Sequence, residues 1–144
     1  MILAVDGDTA AVGAKLAELA RRGDVIAISG PLGVGKTTLV RGYLAALGYQ
    51  EEVPSPTFAI VQPYETLDPP AWHVDLYRLE SRAEIAELGL DAAEDAVLLV
   101  EWPERAGENA WPQALRLSLD FAPAGARCLT AHVPPAWEGR WPLV

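Results

Sequence analysis

The stretch Gly30-Pro31-Leu32-Gly33-Val34-Gly35-Lys36-Thr37-Thr38 constrains this chain most, because it fits G-x-x-x-x-G-K-[ST]. Such a loop has to be fed by a strand and has to open a helix, and both neighbours are present. Val25-Ile26-Ala27-Ile28-Ser29 is a short apolar run that reads as a buried parallel strand. After the loop, Leu39, Val40, Tyr43, Leu44 and Leu47 recur at helical spacing, and Gly48 supplies the stop. Glycines let the backbone turn its N–H groups inward as a nest for a phosphate, and the helix start adds its positive end. Lys36 brings an ammonium to the β/γ-phosphates, and Thr37 a hydroxyl to Mg²⁺. Lys15 and Lys36 are the only lysines, so a chance lysine at this spot is unexpected. The motif predicts binding of a nucleoside triphosphate.

A length of 144 residues and 51% hydrophobic content fit a single domain over 1–144, with an irregular tail at 134–144. The first twenty residues carry no signal-peptide pattern, and no apolar run nears the roughly 18 residues that span a bilayer. Cys128 is the single cysteine, which excludes an internal disulfide and suits a reducing compartment. Beside it stand only His73 and His132, so no zinc site is expected, and a cytoplasmic location is. The formal net charge of −9 suits a chain that leaves the gripping of nucleic acid to another subunit.

Asp8-Thr9 offers an N-cap for a helix with Val12, Leu16, Leu19 and Ala20 on one face, stopped by Gly23. Residues 49–56 form a loop that two prolines keep extended, and 57–62 read as a strand. The turn Leu67-Asp68-Pro69-Pro70 then leads into a strand over 72–77, giving an antiparallel pair. Ser81-Arg82-Ala83-Glu84 is a capping box for a short helix ending near Gly89. Ala96–Val100 is the most apolar strand candidate, and it ends in Glu101-Trp102-Pro103. Leu115, Leu117, Leu119 and Phe121 alternate, so 114–121 is expected to be half-buried and antiparallel, returning after Pro123-Ala124-Gly125 along 127–133.

Mg²⁺-dependent hydrolysis needs a carboxylate near the metal, commonly at the carboxyl end of an apolar strand, and Glu101 holds that position. The plain alternative is an exposed strand-end glutamate. Asp75 ends a second apolar alternation and is a candidate for orienting water; its alternative is a surface pair with Arg78. Thr57, after Ser55-Pro56, is a candidate switch residue for the γ-phosphate, or simply a β-branched strand starter. Trp102 divides evenly between packing and base stacking. Guanine-reading, transporter-ATPase and Arg-rich-lid signatures are all missing.

Together, the loop motif, Val53-Pro54-Ser55-Pro56-Thr57-Phe58, His73-Val74-Asp75-Leu76-Tyr77-Arg78 and Val100-Glu101-Trp102-Pro103 resemble the TsaE (YjeE) family, in order and spacing from about Thr9 to Pro103. The resemblance implies an α/β fold of the P-loop NTPase kind, with a mixed, mostly parallel sheet flanked by helices and a C-terminal antiparallel hairpin. It implies weak ATP hydrolysis that becomes useful with the TsaB and TsaD proteins. That complex threonylcarbamoylates the adenosine beside the anticodon in tRNAs reading codons that begin with A, and ATP use resets it between turnovers. By the same resemblance Leu32, Gly33, Val34, Gly35, Lys36, Thr37 and Thr38 would wrap the phosphates, and Thr37 and Glu101 would hold Mg²⁺. Asp75 would support hydrolysis with Lys36 and Glu101, and Ser55 and Thr57 would lie in a switch-like loop. Asp6 would lie near the adenine. An arginine of the last hairpin would approach the nucleotide, a place Arg127 meets to within one position. Contact with tRNA would run through the complex, with no membrane involved. The competing readings are a free-standing phosphotransferase acting on a metabolite and a nucleotide-gated binding module without useful hydrolysis.

Overall fold

Val97–Glu101 is buried at all five positions, as a strand must be when both faces of its sheet are covered. In a computed structural model of the chain, described at residues 1–49, 61–79, 81–86, 88–90, 94–107 and 110–140, that strand sits inside a mixed sheet. Along the chain the elements are β1 (Ile2–Leu3), α1 (Asp6–Leu19), β2 (Val25–Ser29), α2 (Lys36–Ala46), β3 (Val61–Tyr64) and β4 (Ala71–Asp75). They continue with α3 (Arg82–Ala86), β5 (Val97–Glu101), β6 (Leu115–Phe121) and β7 (Arg127–His132). Among the described residues the strand order is β1-β7-β6-β2-β5-β4-β3. The central strands β6, β2, β5 and β4 run parallel to one another, while β3 pairs antiparallel with β4, β7 with β6 and β1 with β7. This is the α/β, P-loop-type architecture expected, with the 127–133 return strand closing the C-terminal hairpin as β7.

Two cores form, one on each face. Leu16 of α1 and Leu39, Val40, Tyr43 and Leu44 of α2 pack with Ile26, Ile28, Leu99, Leu115 and Leu117. On the other face Val74, Leu76, Leu98 and Val100 pack against Ile85, Trp102 and Trp111. The two helices cross at glycines. A Cβ on Gly13 would stand 2.0 Å from the Leu39 carbonyl oxygen, and one on Gly42 would stand 2.0 Å from that of Ala10. α2 ends in a Schellman closure: Tyr49 N–H reaches the Leu44 carbonyl at 3.1 Å and Gly48 N–H that of Ala45 at 3.0 Å, with Gly48 at φ +96°.

Several expectations need correction. The first helix begins at Asp6, not after Asp8-Thr9. The Asp8 carboxylate folds back to accept the N–H groups of Ala4 (2.9 Å) and Val5 (3.2 Å), so it caps from the third helical position. The strand 114–121 is not simply antiparallel: β6 pairs antiparallel with β7 and parallel with β2, and so joins the hairpin to the parallel core. β4 stops at Asp75 rather than Tyr77, because the Asp75 carboxylate accepts the Tyr77 N–H at 2.9 Å and turns the chain. Of the expected 57–62 strand, residues 57–60 lie outside the described residues, and the described part continues to Tyr64 as β3. Pro63 is tolerated because β3 is an edge. The two-residue β1 was too short to show a period. No helix among the described residues is long and apolar enough to cross a membrane.

Candidate functional site

Parallel strands bring their carboxyl ends to one edge of the sheet, and the phosphate-loop motif leaves β2 at that edge. Register places Glu101 of β5 beside Ile28 of β2 and beside Asp75 of β4. Alternation puts Glu101 on the side of Val97 and Leu99, which face α1 and α2. It therefore meets the first turn of α2, where the Thr37 hydroxyl donates to its carboxylate at 3.2 Å (Oε1) and 3.0 Å (Oε2). Glu101 is 3% exposed, so the exposed strand-end alternative does not hold.

The loop between is shaped by its glycines. Gly30 (φ +150°), Gly33 (+77°) and Gly35 (+116°) adopt backbone that other residues rarely take. At Gly30 a Cβ would also meet the Leu119 carbonyl oxygen at 2.4 Å. Leu32 stands exposed on the loop, and Val34 is buried beneath it. Lys36 opens α2, 5% exposed, and its Nζ donates to the carbonyls of Gly30 (2.6 Å) and Pro31 (2.9 Å). Burial lowers its pKa from 10.5, against the opposing pull of Glu101, Asp75 and Glu104. Thr38 follows, half-buried in the same helical turn.

Trp102 adopts a left-handed conformation (φ 59°, ψ 48°) immediately after Glu101, which costs strain for a residue with a side chain. That geometry lays its ring 4.3 Å from the Lys36 ammonium and 4.8 Å from the ring of Tyr77. Asp75 is half-buried, and its pKa is raised, first by burial. The Tyr77 amide, His73 and Lys36 pull it down, and Glu101 adds to the rise.

Two further expectations fall near the loop. Arg127 reaches it from the hairpin: Nε donates to the Val34 carbonyl at 2.8 Å and Nη1 to those of Gly125 (2.8 Å) and Ala126 (3.3 Å). Its guanidinium lies 4.8 Å from the Phe121 ring. Asp6 is exposed at the start of α1, one turn before Thr9. The buried Thr9 methyl would lie 3.6 Å from a Cβ on Gly35, so this helix end abuts the loop. Ser55 and Thr57 lie outside the described residues.

Two neighbours of the site were not singled out as site residues from sequence. Thr9 is one, taken only as part of a cap. The other is His73, fully buried, whose Nε2 lies 2.6 Å from Glu101 Oε2. The signal was available: two residues before Asp75 on a strand means the same face.

The residues fit a triphosphate and a divalent ion. Left-handed glycines, a lysine at the helix start and a hydroxyl facing a buried carboxylate are the donor set such a pair needs. Among the described residues no three His, Cys, Asp or Glu side chains group as a metal site of their own. The ion's remaining oxygens would then have to come from phosphate and water.

Residues 3–128 match the family model described as Threonylcarbamoyl adenosine biosynthesis protein TsaE. The tRNA threonylcarbamoyladenosine biosynthesis protein TsaE of Streptomyces coelicolor is 42% identical over 135 residues, covering 90% of this chain and 91% of its own length. Its counterpart from Bacillus subtilis is 36% identical over 125 residues, covering 85% and 78%. The crystal structure of YdiB from Bacillus subtilis superposes with a TM-score of 0.77 at 27% identity, over 96% of this chain and 88% of that one. A glycine loop, a buried strand-end glutamate and a match this broad lead to one conclusion: the chain belongs to the TsaE family of threonylcarbamoyladenosine biosynthesis proteins.

Proposed function

We propose that this protein is a Mg²⁺-dependent ATPase that works in the cytoplasm within a complex with TsaB and TsaD. Its ATP hydrolysis resets that complex between rounds of threonylcarbamoylation of the adenosine next to the anticodon. The observation that carries this reading is the Thr37 hydroxyl held on the buried Glu101 carboxylate directly after a glycine loop and Lys36. Lys36, freed from the Gly30 and Pro31 carbonyls, binds the outer phosphates, while the amides of Leu32 to Thr38 wrap them. Thr37 and Glu101 hold Mg²⁺, which when bound neutralises charge building up on the phosphoryl oxygens. Asp75, registered beside Glu101, orients water. Arg127 steadies the loop through the Val34 carbonyl, and Asp6 lies on the base side. Ser55 and Thr57 complete a switch that senses the γ-phosphate. With a net charge of −9, the chain meets tRNA through its partners.

The test is phosphate release from ATP by the purified chain, alone and with TsaB–TsaD. Slow turnover that rises with the complex is expected, and turnover indifferent to it contradicts the reading. Glu101→Gln is expected to lower that stimulated rate about 100-fold or more, the scale of losing a preorganised charge contact, and to abolish support of tRNA modification. Intact support would favour a gated binding module instead. Labelled γ-phosphate appearing in an organic acceptor would favour a phosphotransferase.

A further inference from the structure

Among the described residues His73 makes one polar contact and leaves one polar atom unused. Its ring is fully buried, Nε2 lies 2.6 Å from Glu101 Oε2, and Nδ1 has no partner among the described residues. An imidazole enclosed this way gives up its hydration and recovers a single bond, so an apolar side chain would suit the packing of β4 better. The return is at Glu101. A buried carboxylate needs donors, and the described contacts to its oxygens come from two directions: the Thr37 hydroxyl on α2 and the His73 ring on β4. Thr37 belongs to the loop–helix unit that receives the phosphates. His73 comes from the opposite flank, a strand separated from β2 by β5. It alone of the two fixes the carboxylate independently of what the phosphate loop does.

We propose that His73 is a positioning residue: its Nε2–H holds Oε2 of Glu101, so that the carboxylate is presented to Mg²⁺ in one orientation. This rests on the reading of Glu101 as a Mg²⁺ ligand. Outer-sphere partners of this kind change metal affinity by about 10- to 100-fold when removed.

The test measures binding of a non-hydrolysable ATP analogue by calorimetry, in EDTA and across a Mg²⁺ series, for the wild type, His73→Leu and His73→Gln. His73→Leu is expected to raise the Mg²⁺ concentration for half-maximal effect about 10- to 100-fold, with analogue affinity in EDTA within about twofold. His73→Gln, whose amide offers an N–H toward Oε2, restores most of the response. A role in packing alone would weaken binding equally with and without metal, and that outcome, or an unchanged Mg²⁺ response in His73→Leu, overturns the proposal. A wild type that binds the analogue with no Mg²⁺ response overturns the reading of Glu101 as well, and the two failures are thus told apart. Should His73→Leu not fold, the wild type still decides. In ¹⁵N-histidine-labelled protein, a slowly exchanging ring proton on Nε2, shifting upfield in Glu101→Gln, is required, and its absence overturns the proposal.

Discussion

Asp75 and Lys36 are held where burial works against their charges, as groups kept for chemistry often are. For Asp75 the consequence for stability has a definite sign. Its native pKa lies above 3.8, so the folded state takes up the proton first, and the ionised form subtracts stability. The penalty is absent below the unfolded value and complete once pH exceeds the raised native one. Asp75→Asn, which keeps an acceptor for the Tyr77 N–H, is therefore expected to melt above the wild type at pH 7. Thermal melts at several pH values should show the gap closing as pH falls toward 3.8, and a variant that melts lower at pH 7 contradicts this. At this scale the meeting of Lys36, Thr37 and Glu101 at one sheet edge was legible, because the loop motif and the apolar strand fix residue and spacing together. At His73 only the face was legible, from its place two residues before Asp75; its burial and its contact with Glu101 depend on a strand partner distant in the chain.

The α1–α2 contact shows what the element scale adds. Gly13 and Gly42 each sit where the other helix's backbone leaves no room for a Cβ. A backbone carbonyl cannot rotate aside as a side chain can. Gly42→Ala is thus expected to destabilise by about 1–3 kcal/mol despite the better helix propensity of alanine. Urea unfolding checks this, and an unchanged or raised midpoint would contradict it. The same scale explains the readings that failed. Alternation along 115–121 correctly gave a half-buried strand, but alternation carries no information about partner direction. Only the sheet order, with β2 on one side and β7 on the other, shows that β6 has one neighbour of each kind. The start of α1 was misplaced because Asp8 can cap from inside a helix as well as from its edge.

Across the whole molecule, the family match ends at residue 128, yet the chain continues to matter beyond it. Trp137 is fully buried in the core shared with α1 and α2, and Arg140 stacks 4.0 Å from its ring. Arg140 also bonds Asp24 at 2.6 Å and the Leu19 carbonyl at 2.9 Å, tying the end of the described chain to the turn between α1 and β2. Composition pointed to an irregular tail because prolines mask any period there. Trp137→Ala should cost about 3–5 kcal/mol by denaturant melt, and a loss under about 1 kcal/mol would mean the clasp contributes little. These tail residues serve the frame, while the nucleotide reading depends on the loop edge alone. Calorimetry of ATP with Mg²⁺ into the purified chain, beside Lys36→Ala, tests that reading most directly. A saturable heat at one nucleotide per chain, lost in Lys36→Ala with its fold intact, is the predicted result; no heat from the wild type, or equal heats from both, would contradict it.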